Sequence, residues 1–371
     1  MERGYGRCEP RESGPGAMKI LVRAPNWVGD AVMSVPALET IRRTHAGDEI
    51  CILARPVVAD LFAGQAFADR ILPYDFRGRH RGWLGREKLV AELRKENFGA
   101  AVLLQNAFEA AWLAWRAGIP ERIGYARDWR GPLLTKATRV PQVGEIPKHE
   151  SHYYLELLRR SGWVEAAPEV PPIRLHVTHA ARAAAESALR RAGAGENGWR
   201  CAIAPGASYG AAKCWPPGRF AQLADRLISE CGADVIFFGT PGEKEIAARI
   251  RSQMKLPAIS LVGETSMRDL AALFASCSLF IGNDSGAMHV AAAAGVPVVG
   301  IFGSTDPEGT APVTEKFTLI HEAVSCSPCF LRSCPVDHRC MTRIAVNAVF
   351  TTAWQFKNSP KNLSARSAEN V

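Results

Sequence analysis

Strand-like and helix-like runs alternate along almost the whole chain, in two blocks separated by a proline-rich break. In the first block "KILVRA", "EICILA", "DRILPY", "GAAVLLQ" and "RIGYA" read as short buried strands. "VVADLFAG", "REKLVAELRKENF" and "EAAWLAWRAG" read as the helices between them, the last ending at Gly118 as a terminating glycine. After the first strand, Val32, Val35, Leu38 and Ile41 recur every third residue and predict one face of a single helix. The break is "EAAPEVPPIRL" at 165–175. Beyond it "RCAIAPG", "ADVIFFG", "AISLVG", "LFIGND" and "PVVGIFG" alternate with "GRFAQLADRLISECG", "EKEIAARIRSQM", "SMRDLAALFASC" and "AMHVAAAAG". Such alternation predicts an α/β protein with two doubly wound parallel sheets.

The length agrees, since 371 residues exceed one ordinary domain. With 47% hydrophobic and 22% charged residues there is apolar material for two cores. A net charge of +8 suits an anionic partner: a phosphorylated substrate, an anionic membrane surface or nucleic acid. It equally suits a solvated basic surface. Residues 1–17 are polar and rich in Gly and Pro, without the apolar core of a signal peptide, and read as a disordered extension. No apolar run reaches membrane-spanning length, so a cytoplasmic protein, peripheral on a membrane at most, is expected.

Ligands of open α/β sheets bind beyond the carboxyl ends of strands, so the strand-to-helix loops hold the candidates. In "GNDSGAMH" a tight turn leads into a helix whose N-terminus can bind an anion; Asp284 and Ser285 either cap it or contact a ligand, and His289 lies one turn in, on an exposed face. In "PGASYGAAK" Ser208 and Tyr209 offer hydroxyls, and Lys213 is either a phosphate counter-charge or a solvated lysine. Glu243 is either a ribose ligand or a first-turn helix acid. Asp30, in "NWVGDAVM", is either a helix cap or a base. The basic loop "RGRHRGWLGR" at 77–86 offers Arg79 and Arg81 to an anionic acceptor, or is solvated. No D-x-D pair is present, which weighs against a metal-clamped diphosphate.

Four stretches in this order, 18–38, 205–221, 282–307 and 326–341, resemble the heptosyltransferases of lipopolysaccharide core assembly (glycosyltransferase family 9), in particular their type II branch. The resemblance spans about 18–343 and implies a GT-B fold, two Rossmann-like lobes facing across a cleft. It implies an acceptor-binding lobe at 18–170, an ADP-sugar lobe at 171–343 and a divergent C-terminal tail at 344–371. The implied reaction is inverting, metal-independent transfer of L-glycero-D-manno-heptose from ADP-heptose to an inner-core heptose of a lipid A–Kdo–heptose acceptor. The implied place is the inner leaflet of the inner membrane, with no nucleic acid involved. Matched by motif, Asp30 is the general base, Lys213 the phosphate-binding lysine, and Ser208 and Tyr209 phosphate-loop contacts. By the same match Glu243 is the ribose-binding acid, and Asp284, Ser285, Gly286 and His289 are the donor-site turn and helix start; Asn26 and, from the basic loop, Arg79 and Arg81 are candidate acceptor contacts.

The cysteines Cys326, Cys329, Cys334 and Cys340 begin with zinc-like C-x2-C spacing but continue with gaps of no standard ribbon. Structural thiols or a redox-dependent bridge are preferred to zinc, so no cofactor is expected. The rival functions are the first heptose transfer, another sugar-nucleotide transferase or epimerase of this fold, and a non-enzymatic nucleotide or nucleic-acid binder.

Overall fold

The computed structural model describes residues 16–196 and 198–358; the expected N-terminal extension lies almost wholly outside them. The chain divides into two compact units between His176 and Val177.

The first unit runs β1 (Lys19–Arg23), α1 (Val28–Met33), α2 (Val35–Thr44), β2 (Glu49–Ala54), α3 (Pro56–Phe62) and β3 (Arg70–Pro73). It continues through α4 (Gly82–Glu96), β4 (Ala100–Leu103), α5 (Phe108–Arg116), β5 (Glu121–Tyr125), β6 (Lys136–Thr138) and α6 (Glu150–Arg160). All pairings are parallel, in the order β3-β2-β1-β4-β5-β6. β1 and β4 lie buried among these neighbours, which explains their nearly unbroken apolar sequences.

The second unit begins with α7 (His179–Arg191), β7 (Trp199–Ala204), α8 (Pro217–Cys231), β8 (Ala233–Phe237), α9 (Lys244–Arg251) and β9 (Ile259–Ser260). Then come α10 (Met267–Ala275), β10 (Leu279–Asn283), α11 (Gly286–Ala293), β11 (Val298–Phe302), α12 (Pro307–Thr310), β12 (Phe317–His321), α13 (Arg339–Thr342) and α14 (Val346–Lys357). Its parallel order is β12-β11-β10-β7-β8-β9. α8 buries Phe220, Ala221, Leu223, Ala224 and Leu227, a helical stripe, and stops at left-handed Gly232.

Each sheet therefore has one point where sequential strand order reverses, β1/β4 in the first and β7/β10 in the second. The loops leaving those strands open a crevice suited to a ligand.

Three expectations need correcting. The single helix after β1 is two helices, α1 and α2, meeting at Ser34. Pro36 has no N–H to give the Val32 carbonyl, so the ladder breaks there, and the Ser34 hydroxyl donates to the Ala31 carbonyl at 2.8 Å. The edge strands β6 and β12 and the helices α6 and α7 carry too weak a pattern to be read from sequence. Within the expected tail, α14 is an integral element of the second unit: it packs on α8 and buries Val349, Phe350 and Ala353. Residues 359–371 lie outside the described residues.

Phe350 is nearly buried and holds the Arg226 guanidinium 3.7 Å from its ring centroid. Phe350→Ala is expected to cost about 3 kcal/mol through lost burial and a residual cavity. Thermal unfolding followed by circular dichroism checks this; an unchanged midpoint would show that α14 adds nothing to the fold.

Candidate active site

In the second unit the two strands flanking the reversal, β7 and β10, are tied together by Asn283, the last residue of β10. Its side chain is fully buried, donates to the Pro205 carbonyl at 2.7 Å and accepts from the Trp215 amide at 2.9 Å. Trp215 is itself buried and its indole N–H reaches the Ile344 carbonyl at 3.1 Å. The loops that follow the two strands are thus locked to each other.

On that base Lys213 Nζ donates to Asp284 Oδ2 at 2.6 Å, and Thr305 Oγ1, beyond β11, donates to the same oxygen at 2.6 Å. The side chains are 14% and 5% exposed, so the pair is shielded from solvent screening. Lys213 is therefore not the solvated lysine allowed by the sequence, and Asp284 does not act as the cap of α11.

Ser285 occupies the N-cap position of α11 but makes no capping bond. Its hydroxyl, like that of Ser304 at the end of β11, is buried without a hydrogen-bond partner among the described residues. Buried polar groups are normally paired, so two orphaned hydroxyls beside a helix N-terminus mark a place prepared for a polar ligand. Gly286 opens α11 as expected. His289 is buried rather than on an exposed face, because α11 is covered nearly all round.

The remaining donor-side candidates have local tasks. Glu243 completes a capping box: its carboxylate accepts from the Thr240 amide at 2.6 Å and the Thr240 hydroxyl at 2.9 Å. It also leans over Gly206, where an ideal Cβ would lie 1.8 Å from Oε1, so a larger residue there would push the carboxylate from its capping position. The Tyr209 hydroxyl is committed to the Phe330 carbonyl at 2.6 Å, leaving its ring rather than its hydroxyl to face Lys213. Ser208 lies exposed in the same loop.

The cysteine loop closes over the end of β11, with the Cys329 and Phe330 amides donating to the Ser304 carbonyl. Cys326, Cys329, Cys334 and Cys340 are free thiols, and among the described residues no three His, Cys, Asp or Glu side chains are arranged to hold a metal ion.

In the first unit the reversal lies between β1 and β4. Buried Arg23 donates to Asn26 Oδ1 at 2.7 Å, and the Asn26 amide donates to Gln105 Oε1 beyond β4 at 3.1 Å. Asn26 is thus a brace between two strand-end loops. Asp30 follows it, but the N-cap of α1 is Trp27, and Asp30 is the third helical residue. The capping reading of Asp30 is therefore wrong.

Sequence reasoning missed Glu150. α6 packs its first turn on α1 and α2, fixed by the Ser151 hydroxyl donating to the Met33 carbonyl at 2.8 Å. The buried Tyr154 side chain interacts with the Glu150 carboxyl. Burial and then the Asp30 carboxylate push its carboxyl up to about 7, against the opposing pull of Tyr154 and Arg127. No motif exposed this pair, because its members lie far apart in sequence on helices that meet only in the fold. Arg79 pairs with Glu92 at 2.5 Å, and Arg81 caps α4 with its backbone while its side chain stays exposed.

The sequence profile of Glycosyltransferase family 9 (heptosyltransferase) matches residues 86–339. The chain belongs to that family. Lipopolysaccharide heptosyltransferase 2 of Salmonella typhimurium is 32% identical, over 82% of this chain and 88% of its own length. The enzyme of the same name from Escherichia coli is 30% identical over the same shares. The solved structure of E. coli ADP-heptose lps heptosyltransferase II superposes with a TM-score of 0.77 at 27% identity, covering 91% of this chain and 98% of the other. This family-9 chain is a glycosyltransferase, and its two doubly wound units are those of the GT-B type. Among its described residues no helix is long and apolar enough to cross a membrane.

The raised Glu150 carboxyl has a consequence for stability. The folded chain holds that proton more tightly than the unfolded chain, so the stabilisation is full below about pH 4.5 and is lost as pH rises through about 7. Relative to Glu150→Gln, this family-9 enzyme should therefore lose stability across that window and no further above it. Urea midpoints measured for both proteins at several pH values check this; a constant difference would mean that Glu150 titrates normally.

Proposed function

We propose that the chain transfers L-glycero-D-manno-heptose from ADP-heptose to an inner-core heptose of lipopolysaccharide, with inversion and without a metal. The observation that carries this reading is the caged Lys213 beside a helix N-terminus and two orphaned hydroxyls, in a chain of family 9 at 32% identity to a lipopolysaccharide heptosyltransferase 2. The acceptor in this reading is lipid A–Kdo–heptose at the inner leaflet of the inner membrane, reached from the cytoplasm by a peripheral protein. Nucleic acid has no part in it.

The Asp30 carboxylate takes the proton of the acceptor hydroxyl as its oxygen attacks the anomeric carbon. The bond from that carbon to the diphosphate oxygen breaks, and the sugar inverts. A carboxylate suits this step because it removes a proton and also stabilises a cationic, oxocarbenium-like sugar. Lys213 offsets the charge that develops on departing ADP. Asp284, itself held by the Thr305 hydroxyl, fixes that ammonium, so little side-chain freedom is lost when the diphosphate arrives. The α11 amides from Gly286 onward and the Ser285 hydroxyl offer hydrogen bonds to the phosphates, with Ser208 across the loop and His289 supporting the turn. Glu243, beside Gly206, accepts from the ribose hydroxyls. Asn26, Arg79 and Arg81 line the acceptor side.

Two outcomes follow. Asp30→Ala should lower kcat by about 10²–10⁴-fold, the usual worth of a general base, while ADP binding is retained. Retained turnover with ADP-heptose and a heptose-bearing core acceptor would remove Asp30 from the mechanism. Turnover of the native chain should also survive EDTA, and ADP-heptose should be used in preference to UDP- and GDP-sugars. Activity restored only by a divalent ion, or with a uridine donor alone, would overturn the reading.

A further inference from the structure

We propose that an exposed aromatic strip on α4 and α5 docks the protein on an anionic lipid bilayer surface. Trp83 and Leu84, in the first turn of α4, are 63% and 83% exposed. On α5, Phe108 and Trp115 are 47% and 48% exposed, and Trp112 between them is half-buried. Spacings of four and three place these three on one stripe of the helix. The Trp83 and Trp112 rings lie 5.2 Å apart, which joins the two helices' apolar residues into one surface. Ion pairs from Arg86 to Glu109 at 2.5 Å and from Arg116 to Glu87 at 3.2 Å fix the helices side by side, so the strip is rigid.

Contiguous exposed apolar surface of this kind marks an interaction site. Its composition selects the partner. Trp and Leu bordered by arginine match the interface of a bilayer, where indoles sit at headgroup level and cations meet lipid phosphates. Arg77, Arg79 and Arg81 lie exposed in the loop that leads into Trp83, and with Arg86 and Arg116 they outnumber the glutamates of this face. A two-fold dimer through the strip would set these arginines against their own copies, an arrangement that repulsion disfavours. A bilayer with anionic headgroups meets both the apolar tips and the charge.

The inference deepens the proposed function on its acceptor side, because a lipid-linked acceptor lies in such a surface, but its test needs no substrate. The full chain is sedimented with phosphatidylglycerol–phosphatidylcholine vesicles and with phosphatidylcholine vesicles alone. Binding should require phosphatidylglycerol, weaken with salt, and fall about tenfold or more in the Trp83→Ser/Leu84→Ser double variant. That variant should transfer to a water-soluble heptose acceptor like the native chain and lose rate only on vesicle-embedded acceptor. Vesicle binding that persists where no heptose transfer is found would refute the proposed reaction and leave the surface standing. A native chain indifferent to phosphatidylglycerol, a double variant that binds equally well, or a dimer in light scattering that the double variant dissociates would overturn the inference.

Discussion

The ion pair between Lys213 and Asp284 joins two loops that the connectivity of a parallel sheet keeps apart. β7 and β10 are neighbours in space, yet the chain makes two further strands before it returns to the reversal point. Without a link, the crevice between their loops would be shaped by loop motion alone. Asn283 supplies the neutral link and the ion pair the charged one. Removing one partner of a buried pair typically costs about 3–5 kcal/mol, because the other charge is left uncompensated. The arrangement is therefore held in place by the chain itself, with the ammonium fixed on the residue that immediately precedes the N-cap of α11.

The same logic runs through the first unit with different chemistry. Arg23, Asn26 and Gln105 bind the loops after β1 and β4 to each other through hydrogen bonds. Arg130 does the same one strand further on. It is fully buried and donates to the Tyr125 and Gln105 carbonyls and to Asn106 Oδ1. A guanidinium has enough donors to satisfy several strand-end carbonyls at once, which a lysine could not do from one rigid plane. Both units thus place buried polar groups at the carboxyl edge of the sheet, where they brace the loops that follow the strands.

The fold class was legible because buried parallel strands and amphipathic helices write different periods into the sequence, and β1, β7, β10 and α8 do so strongly. Two of the four edge strands, β6 and β12, were not, because a strand with one neighbour need not be uniformly apolar: β6 reads KAT and β12 FTLIH. At the site, residues within one loop were found together, Ser208 with Lys213 and Asp284 with Ser285. Their pairing across loops was invisible, as were Thr305, Asn283 and Glu150, since a single sequence records no contacts between distant positions. For Asp30 the sequence left a cap and a base both open, and the structure removes the cap. A residue after Gly and before an apolar run looks like a cap, but backbone geometry gives that position to Trp27.

The two units bring opposite electrostatic devices to their sheet edges. Lys213 and Asp284 are unlike charges in a place shielded from solvent, where their attraction is little screened. Asp30 and Glu150 are like charges, and burial around Tyr154 makes two carboxylates together costly. The Glu150 carboxyl answers that cost by holding its proton up to about pH 7. One unit thus stabilises a charge with its opposite, and the other relieves a like-charge contact by keeping a proton.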